Sequence, residues 1–100
     1  MAQLAQRNGT TQTVAYTGTA AASTNAFGAG TNAVRIVANS ACHYTFGSAP
    51  TATTSDPFLP ANWVEYVYVR PGEKISVVRA ATDGLVTATS GTLWVTETVA

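Results

Sequence analysis

The chain has 100 residues, a formal net charge of zero and only 10% Asp, Glu, Lys and Arg, against ~25% in an ordinary soluble domain. That length holds one domain and no large enzyme scaffold. Zero net charge counts against a basic nucleic-acid binder and a polybasic membrane anchor, and it leaves copies of the chain without long-range repulsion.

The 46% of hydrophobic residues includes 18 Ala, while Leu, Ile, Val and Phe together number 20 and Thr adds 17. Small and β-branched side chains therefore dominate, which favours strands over helices. Residues 1–31 carry one charge, Arg7, whereas residues 63–100 carry seven. The N-terminal third cannot build a core alone. It is either an extended arm or strands that take their burial from elsewhere, and we assign residues 1–32 to an arm and loop segment with one short strand. The domain proper then spans 33–100.

Met1 to Arg7 lacks the apolar core of a signal peptide, and no run reaches the ~18 apolar residues that span a bilayer. Synthesis in a reducing cytosol without export by a visible signal is expected. Gln12 to Thr17 reads as the short strand, with Val14 and Tyr16 on one face. Gly18 to Asn32 reads as loop. In Ala33-Val34-Arg35-Ile36-Val37-Ala38, Val34, Ile36 and Ala38 share a face and Arg35 points the other way. Asn39-Ser40 is turn chemistry. Cys42, Tyr44 and Phe46 then share a face opposite His43 and Thr45, and the short connection predicts a hairpin between these two strands.

Ser48 to Asn62 is a long irregular stretch with three prolines, pinned at its far end by Phe58 and Leu59. Trp63 to Arg70 follows as the strongest strand. Trp63, Glu65, Val67 and Val69 lie on one face, and Val64, Tyr66, Tyr68 and Arg70 on the other, so it is expected to be central or to lie under a partner. Pro71-Gly72 predicts a type II turn. Lys74 to Ala80 is a strand with Ile75 and Val77 inward. Asp83-Gly84 marks a turn, and Leu85–Ala88 and Thr92–Val99 complete the set. Six to seven short strands at turn spacings of ~8–12 residues predict an all-β, small antiparallel sandwich or barrel with an extended N-terminal arm.

Little here points to catalysis. Cys42 and His43 are adjacent on a strand and face opposite sides, so the imidazole cannot activate the thiol. One His, one Cys, two Asp and three Glu barely suffice for a metal site. Glu65 and Glu97 are the only carboxylates paired on core strands, and acid–base chemistry would need them close together in a cleft. Gly28-Ala29-Gly30 lacks the Lys and the helix of a phosphate loop. No disulfide is possible within the chain, and no metal or cofactor is expected. Trp63, Tyr66, Tyr68 and Trp94 read as core or as a protein interface, with a platform that stacks sugars or bases as the third reading, base stacking being disfavoured because only Arg70 lies nearby. Together with Arg70 and Phe58 they are the interface candidates, because Trp, Tyr and Arg are the usual anchors.

One further pattern runs through Val34-Arg35-Ile36-Val37-Ala38, Cys42-His43-Tyr44-Thr45-Phe46-Gly47, Ala49-Pro50-Thr51-Ala52 and Leu59-Pro60-Ala61. It continues in Glu65-Tyr66, Pro71-Gly72-Glu73-Lys74-Ile75-Ser76-Val77 and Gly91-Thr92-Leu93-Trp94-Val95-Thr96-Glu97. In this order it resembles small virion structural proteins of tailed bacteriophages, of the capsid cement or decoration type. The resemblance covers about two-thirds of the chain and leaves out residues 1–32. It implies a non-enzymatic β protein on the capsid exterior that binds the major capsid protein, associates with itself as a homotrimer, and stabilises the shell against internal DNA pressure. No nucleic-acid or membrane partner is implied. The alternatives are a head–tail or tail accessory protein and a host-surface carbohydrate-binding module.

Overall fold

The structure is a computed structural model that describes residues 7–80 and 89–99. The expected strand Leu85–Ala88 and the turn at Asp83-Gly84 lie outside these residues. Eight strands are present among the described residues: β1 (Arg7–Tyr16), β2 (Ala21–Ala22), β3 (Ala33–Ala38), β4 (Cys42–Gly47), β5 (Phe58–Leu59), β6 (Glu65–Tyr68), β7 (Lys74–Arg79) and β8 (Gly91–Val99). They form two four-stranded antiparallel sheets. Sheet A runs β1-β8-β3-β6 and sheet B runs β2-β7-β4-β5.

Alternation explains the core. Val14 and Tyr16 on β1, Val34, Ile36 and Ala38 on β3, and Leu93 and Val95 on β8 face inward from sheet A. Cys42 and Tyr44 on β4, Leu59 on β5, and Ile75 and Val77 on β7 meet them from sheet B. Each of the larger aliphatic side chains gains about 1.5–3 kcal/mol by this burial. Neither sheet could supply an apolar interior alone, so the fold is a sandwich.

The described strands alternate between the sheets at almost every step, and among them only the consecutive pair β4 and β5 lies in one sheet. This corrects the predicted hairpin: β3 and β4 lie in different sheets and do not pair. Their inward faces oppose each other across the core. Asn39 to Ala41 turns the chain from one sheet to the other, held by Asn39 N donating to the Thr92 carbonyl at 3.2 Å and Thr92 N donating to Asn39 Oδ1 at 2.9 Å. Ser40 is buried at this crossing. Its hydroxyl and carbonyl both lie 2.7 Å from the Tyr16 hydroxyl, and its Oγ donates to the Thr89 carbonyl at 2.8 Å.

Of the two readings open for the N-terminal third, the described part follows the second. β1 is longer than expected and pairs along β8 from Arg7↔Val99 to Tyr16↔Gly91, with a bulge between Asn8 and Thr11. The segment after β2, read as loop, is tied down by backbone bonds. Ser23 N donates to the Ile75 carbonyl at 2.9 Å, Phe27 N to the Glu73 carbonyl at 2.8 Å, and Gly72 N to the Phe27 carbonyl at 2.9 Å. Phe27 is buried beside Phe46. The few large residues of this segment reach a core that the rest of the chain provides.

The Pro71-Gly72 turn is as predicted. Gly72 has φ +86, and Glu73 N donates to the Arg70 carbonyl at 3.2 Å, the closing bond of a type II turn.

Gly91 is the tightest point of the fold. A Cβ there would lie 2.4 Å from both Asn39 Oδ1 and Ser40 Oγ and 2.8 Å from the Tyr16 hydroxyl. All three atoms are engaged in the hydrogen bonds just described, so they cannot move aside freely. Gly91→Ala is expected to destabilise the protein by about 1–3 kcal/mol. Tyr16→Phe, which leaves the Ser40 groups short of a partner, should cost a similar about 1–3 kcal/mol. Both appear as a lower urea midpoint with an unchanged denaturant slope.

Candidate interaction surface

The two outer faces of the sandwich differ. On sheet B the outward positions of β4 and β7 are paired as His43↔Val78 and Thr45↔Ser76. Residues 50–57 fold back over them. Ala52 N donates to Ser76 Oγ at 2.9 Å, and His43 Nδ1 lies 2.7 Å from the Asp56 carbonyl. A carbonyl can only accept, so the imidazole proton sits on Nδ1. Tyr44 N donates to the Pro57 carbonyl at 3.1 Å, and Thr53 N to Asp56 Oδ2 at 2.8 Å. Ser76 and Val78 are buried as a result, although they face away from the core. The proline-rich stretch is thus a fitted cover.

On sheet A the outward positions Ala33, Thr96 and Thr98 are buried too, whereas Thr11, Thr13, Ala15, Trp94, Tyr66 and Tyr68 are exposed, and no described segment is hydrogen-bonded across them as residues 50–57 are across sheet B. The strand register places Thr11, Thr96, Arg35 and Tyr66 in one row across its outer face, Thr13, Trp94 and Val37 in the next, and Tyr68 opposite Ala33. Thr11 and Thr96 share a hydroxyl–hydroxyl bond of 2.9 Å, and Thr98 Oγ1 donates to the Ala33 carbonyl at 2.9 Å, so the small polar groups satisfy one another. The aromatic side chains stand above them.

The orientation of β6 follows from Glu65. Its Oε1 accepts from the Tyr44 hydroxyl at 2.9 Å, a bond from sheet B to sheet A. Glu65 is thereby held inward, and alternation turns Tyr66 and Tyr68 outward. Burial, followed by the bond to Glu65, pushes the Tyr44 phenol up to about 12. Of the two placements expected for β6, central or under a partner, the first is corrected here: it is an edge strand, only Glu65–Tyr68 long.

The interface candidates separate accordingly. Tyr66 is 53% exposed, Tyr68 87% and Trp94 38%, and all three belong to the open face of sheet A. They are not core. Trp63 (58% exposed) and Val64 (40%) precede β6 in the chain. Arg70 is exposed in the turn after β6, where its backbone N donates to Glu73 Oε1 at 2.8 Å. Phe58 (43% exposed) lies on β5 in the other sheet, edge-on to His43 at 5.4 Å between ring centroids. The structure therefore places Tyr66, Tyr68 and Trp94 on one face of one sheet, in different rows of the register, and leaves Phe58 on the other sheet. Arg35 and Val37 were missing from the candidates. Their positions alternating with buried Val34, Ile36 and Ala38 were the available signal.

The other chemistries find no support in the geometry. Cys42 faces the core and His43 the cover. Burial pushes the Cys42 thiol up to about 11, with the Tyr16 hydroxyl opposing that rise. Glu65 and Glu97 are separated by β3, and each is engaged. Glu97 accepts from Gly28 N at 3.0 Å and from the Thr31 hydroxyl, pinning the 28–31 turn. Among the described residues no three His, Cys, Asp or Glu side chains converge on a metal position. No protein-family model, curated protein or solved structure matches the chain.

Two measurements check this arrangement. Cys42 should react with a thiol reagent only when the chain unfolds, so its labelling rate in urea should track the unfolded fraction. Tyr44 binds its proton more tightly folded than unfolded. Its contribution is therefore complete below pH about 10, the ordinary phenol value, and is lost as pH rises through about 12. Tyr44→Phe should shallow the alkaline loss of stability over that window, read as urea midpoint against pH.

Proposed function

We propose that this chain is a non-enzymatic virion structural protein of the capsid cement type, which binds the outside of a viral shell and stabilises it against internal DNA pressure. The observation that carries this reading is the set of exposed aromatic side chains on the outer face of sheet A. Trp94, Tyr66 and Tyr68 stand there on a chain with zero net charge. Monomeric soluble proteins rarely leave large aromatic residues grouped in this way unless something binds them. The resemblance of residues 34–97 to small phage virion proteins supplies the setting, with the major capsid protein as partner and a homotrimer as the assembled form. A position on the capsid exterior follows from the same resemblance.

A second reading has a specific observation in its favour. Exposed Tyr and Trp on a β face also suit the apolar faces of sugar rings, as in a host-surface carbohydrate-binding module. The two readings separate on one preparation. Purified virions of a cement protein contain hundreds of copies, against a dozen or fewer for a head–tail or tail component. Particles stripped of the chain should release DNA at a lower temperature than intact ones. Unchanged heat and osmotic stability after its removal, together with glycan binding by the isolated chain, would favour the adhesion module.

A further inference from the structure

We propose that the outer face of sheet A, through Trp94, Val37, Arg35, Tyr66 and Tyr68, is the surface that seats on a protein partner, and that the partner's patch is apolar with a carboxylate opposite Arg35. The inference rests on the reading as a shell-binding protein and adds which face makes the contact and what it meets.

The asymmetry of the two faces is the first ground. The chain spends residues 50–57 covering sheet B, down to a bond from Ala52 N to Ser76 Oγ. No described segment covers sheet A in that way. A partner approaching sheet B meets a polar loop with exposed Thr53, Thr54 and Ser55, whereas one approaching sheet A meets aromatic rings. Tyr and Trp rings offer a large contact area with only two side-chain torsions to lose on burial, which suits them as anchors.

Charge is the second ground, and it selects the occupant. The outward positions of sheet A in register are Thr11, Thr13 and Ala15 on β1, then the even-numbered residues of β8 from Thr92 to Thr98. They are completed by Ala33, Arg35 and Val37 on β3 and by Tyr66 and Tyr68 on β6. Arg35 is the only charge among them, on an inner strand, and among the described residues no carboxylate shares the face. Both nearby glutamates, Glu65 and Glu97, are drawn to the other side by Tyr44 and by the 28–31 turn. Two copies pairing through this face would bury two Arg35 side chains with no carboxylate from the described residues of either face to neutralise them. A different protein with an acidic group in an apolar patch satisfies both features at once.

The test uses virus particles assembled without this chain, to which the purified full chain is added back. The wild type should bind. Trp94→Ala and Tyr68→Ala should each weaken binding on the order of tenfold or more. Tyr68 is so exposed that its variant cannot act through folding, and melting curves check Trp94→Ala. Arg35→Glu should weaken binding more than Arg35→Gln, and added salt should weaken the wild type more than Arg35→Gln. Ser55→Glu, on the sheet B cover, should bind as wild type does. If the wild type binds and the sheet A variants bind equally well, or if Ser55→Glu is the one that fails, this inference is wrong while the cement reading stands. If the wild type does not bind at all, the cement reading fails and takes the inference with it. Sedimentation of the purified chain gives the remaining outcome: an oligomer dispersed by Tyr68→Ala would assign the face to a second copy and overturn the proposal, whereas an oligomer indifferent to it supports the proposal by placing self-association elsewhere.

Discussion

The hydroxyl of Tyr16 must be satisfied inside the sandwich, and much of the architecture depends on how that is done. Tyr16 ends β1, Ser40 sits where the chain passes from sheet A to sheet B, and Gly91 begins β8. Three close contacts among Tyr16, Ser40 and the Thr89 carbonyl share two hydroxyl protons. A buried hydroxyl left without a partner costs more than an ordinary bond contributes, so the three segments are fixed together or not at all. Because β8 then pairs with both β1 and β3, this knot sets the register of sheet A, and through the β3–β4 crossing it sets where sheet B begins. Gly91 is required because a side chain would fill the space in which the hydroxyls meet.

The outer faces inherit their difference from this framework. Sheet B receives a long connection, β4 to β5, that never leaves its own sheet and so has to run over it. The described connections into sheet A, β2 to β3 and β5 to β6, both arrive from the other sheet. Nothing in its connectivity returns a described loop across its outside. The aromatic face is therefore a consequence of the order in which the strands are visited. Tyr44 and Glu65 complete it by choosing which side of β6 looks outward.

Alternation made the inward residues legible. Val34, Ile36 and Ala38, then Cys42 and Tyr44, then Ile75 and Val77, and finally Leu93 and Val95 are all core, and the Pro71-Gly72 turn was readable from two residues. Sheet membership was not. A period of two says which side of a strand is buried and is silent on whether the next strand lies beside it or across from it. A hairpin and an inter-sheet crossing between β3 and β4 carry the same pattern, and only the partners of Asn39 and Ser40 decide. The same limit hid the position of β6. Its two apolar faces fitted a central strand and a strand lying under a partner equally well, and composition cannot choose between them. Glu97 shows the complementary failure, since a carboxylate facing inward is intelligible only once Gly28 N and the Thr31 hydroxyl are known to meet it.

Low charge raises a problem that the strand lengths resolve. Exposed sheet edges invite pairing with other chains, and a common defence is Lys or another charge on the edge strand. A chain with ten charges in all has few to place there. Sheet B instead ends in two strands of two residues each, β2 and β5, too short to template a neighbour. In sheet A, β6 has four residues and stands between Pro60 and Pro71, while the long edge β1 is broken by its bulge between Asn8 and Thr11. Edges blunted by shortness and irregularity leave the broad face of sheet A as the surface on which association is favourable. A neutral chain can then carry an aromatic face and still avoid indiscriminate strand pairing, because main-chain hydrogen bonding and side-chain adhesion have been assigned to different parts of the same sheet.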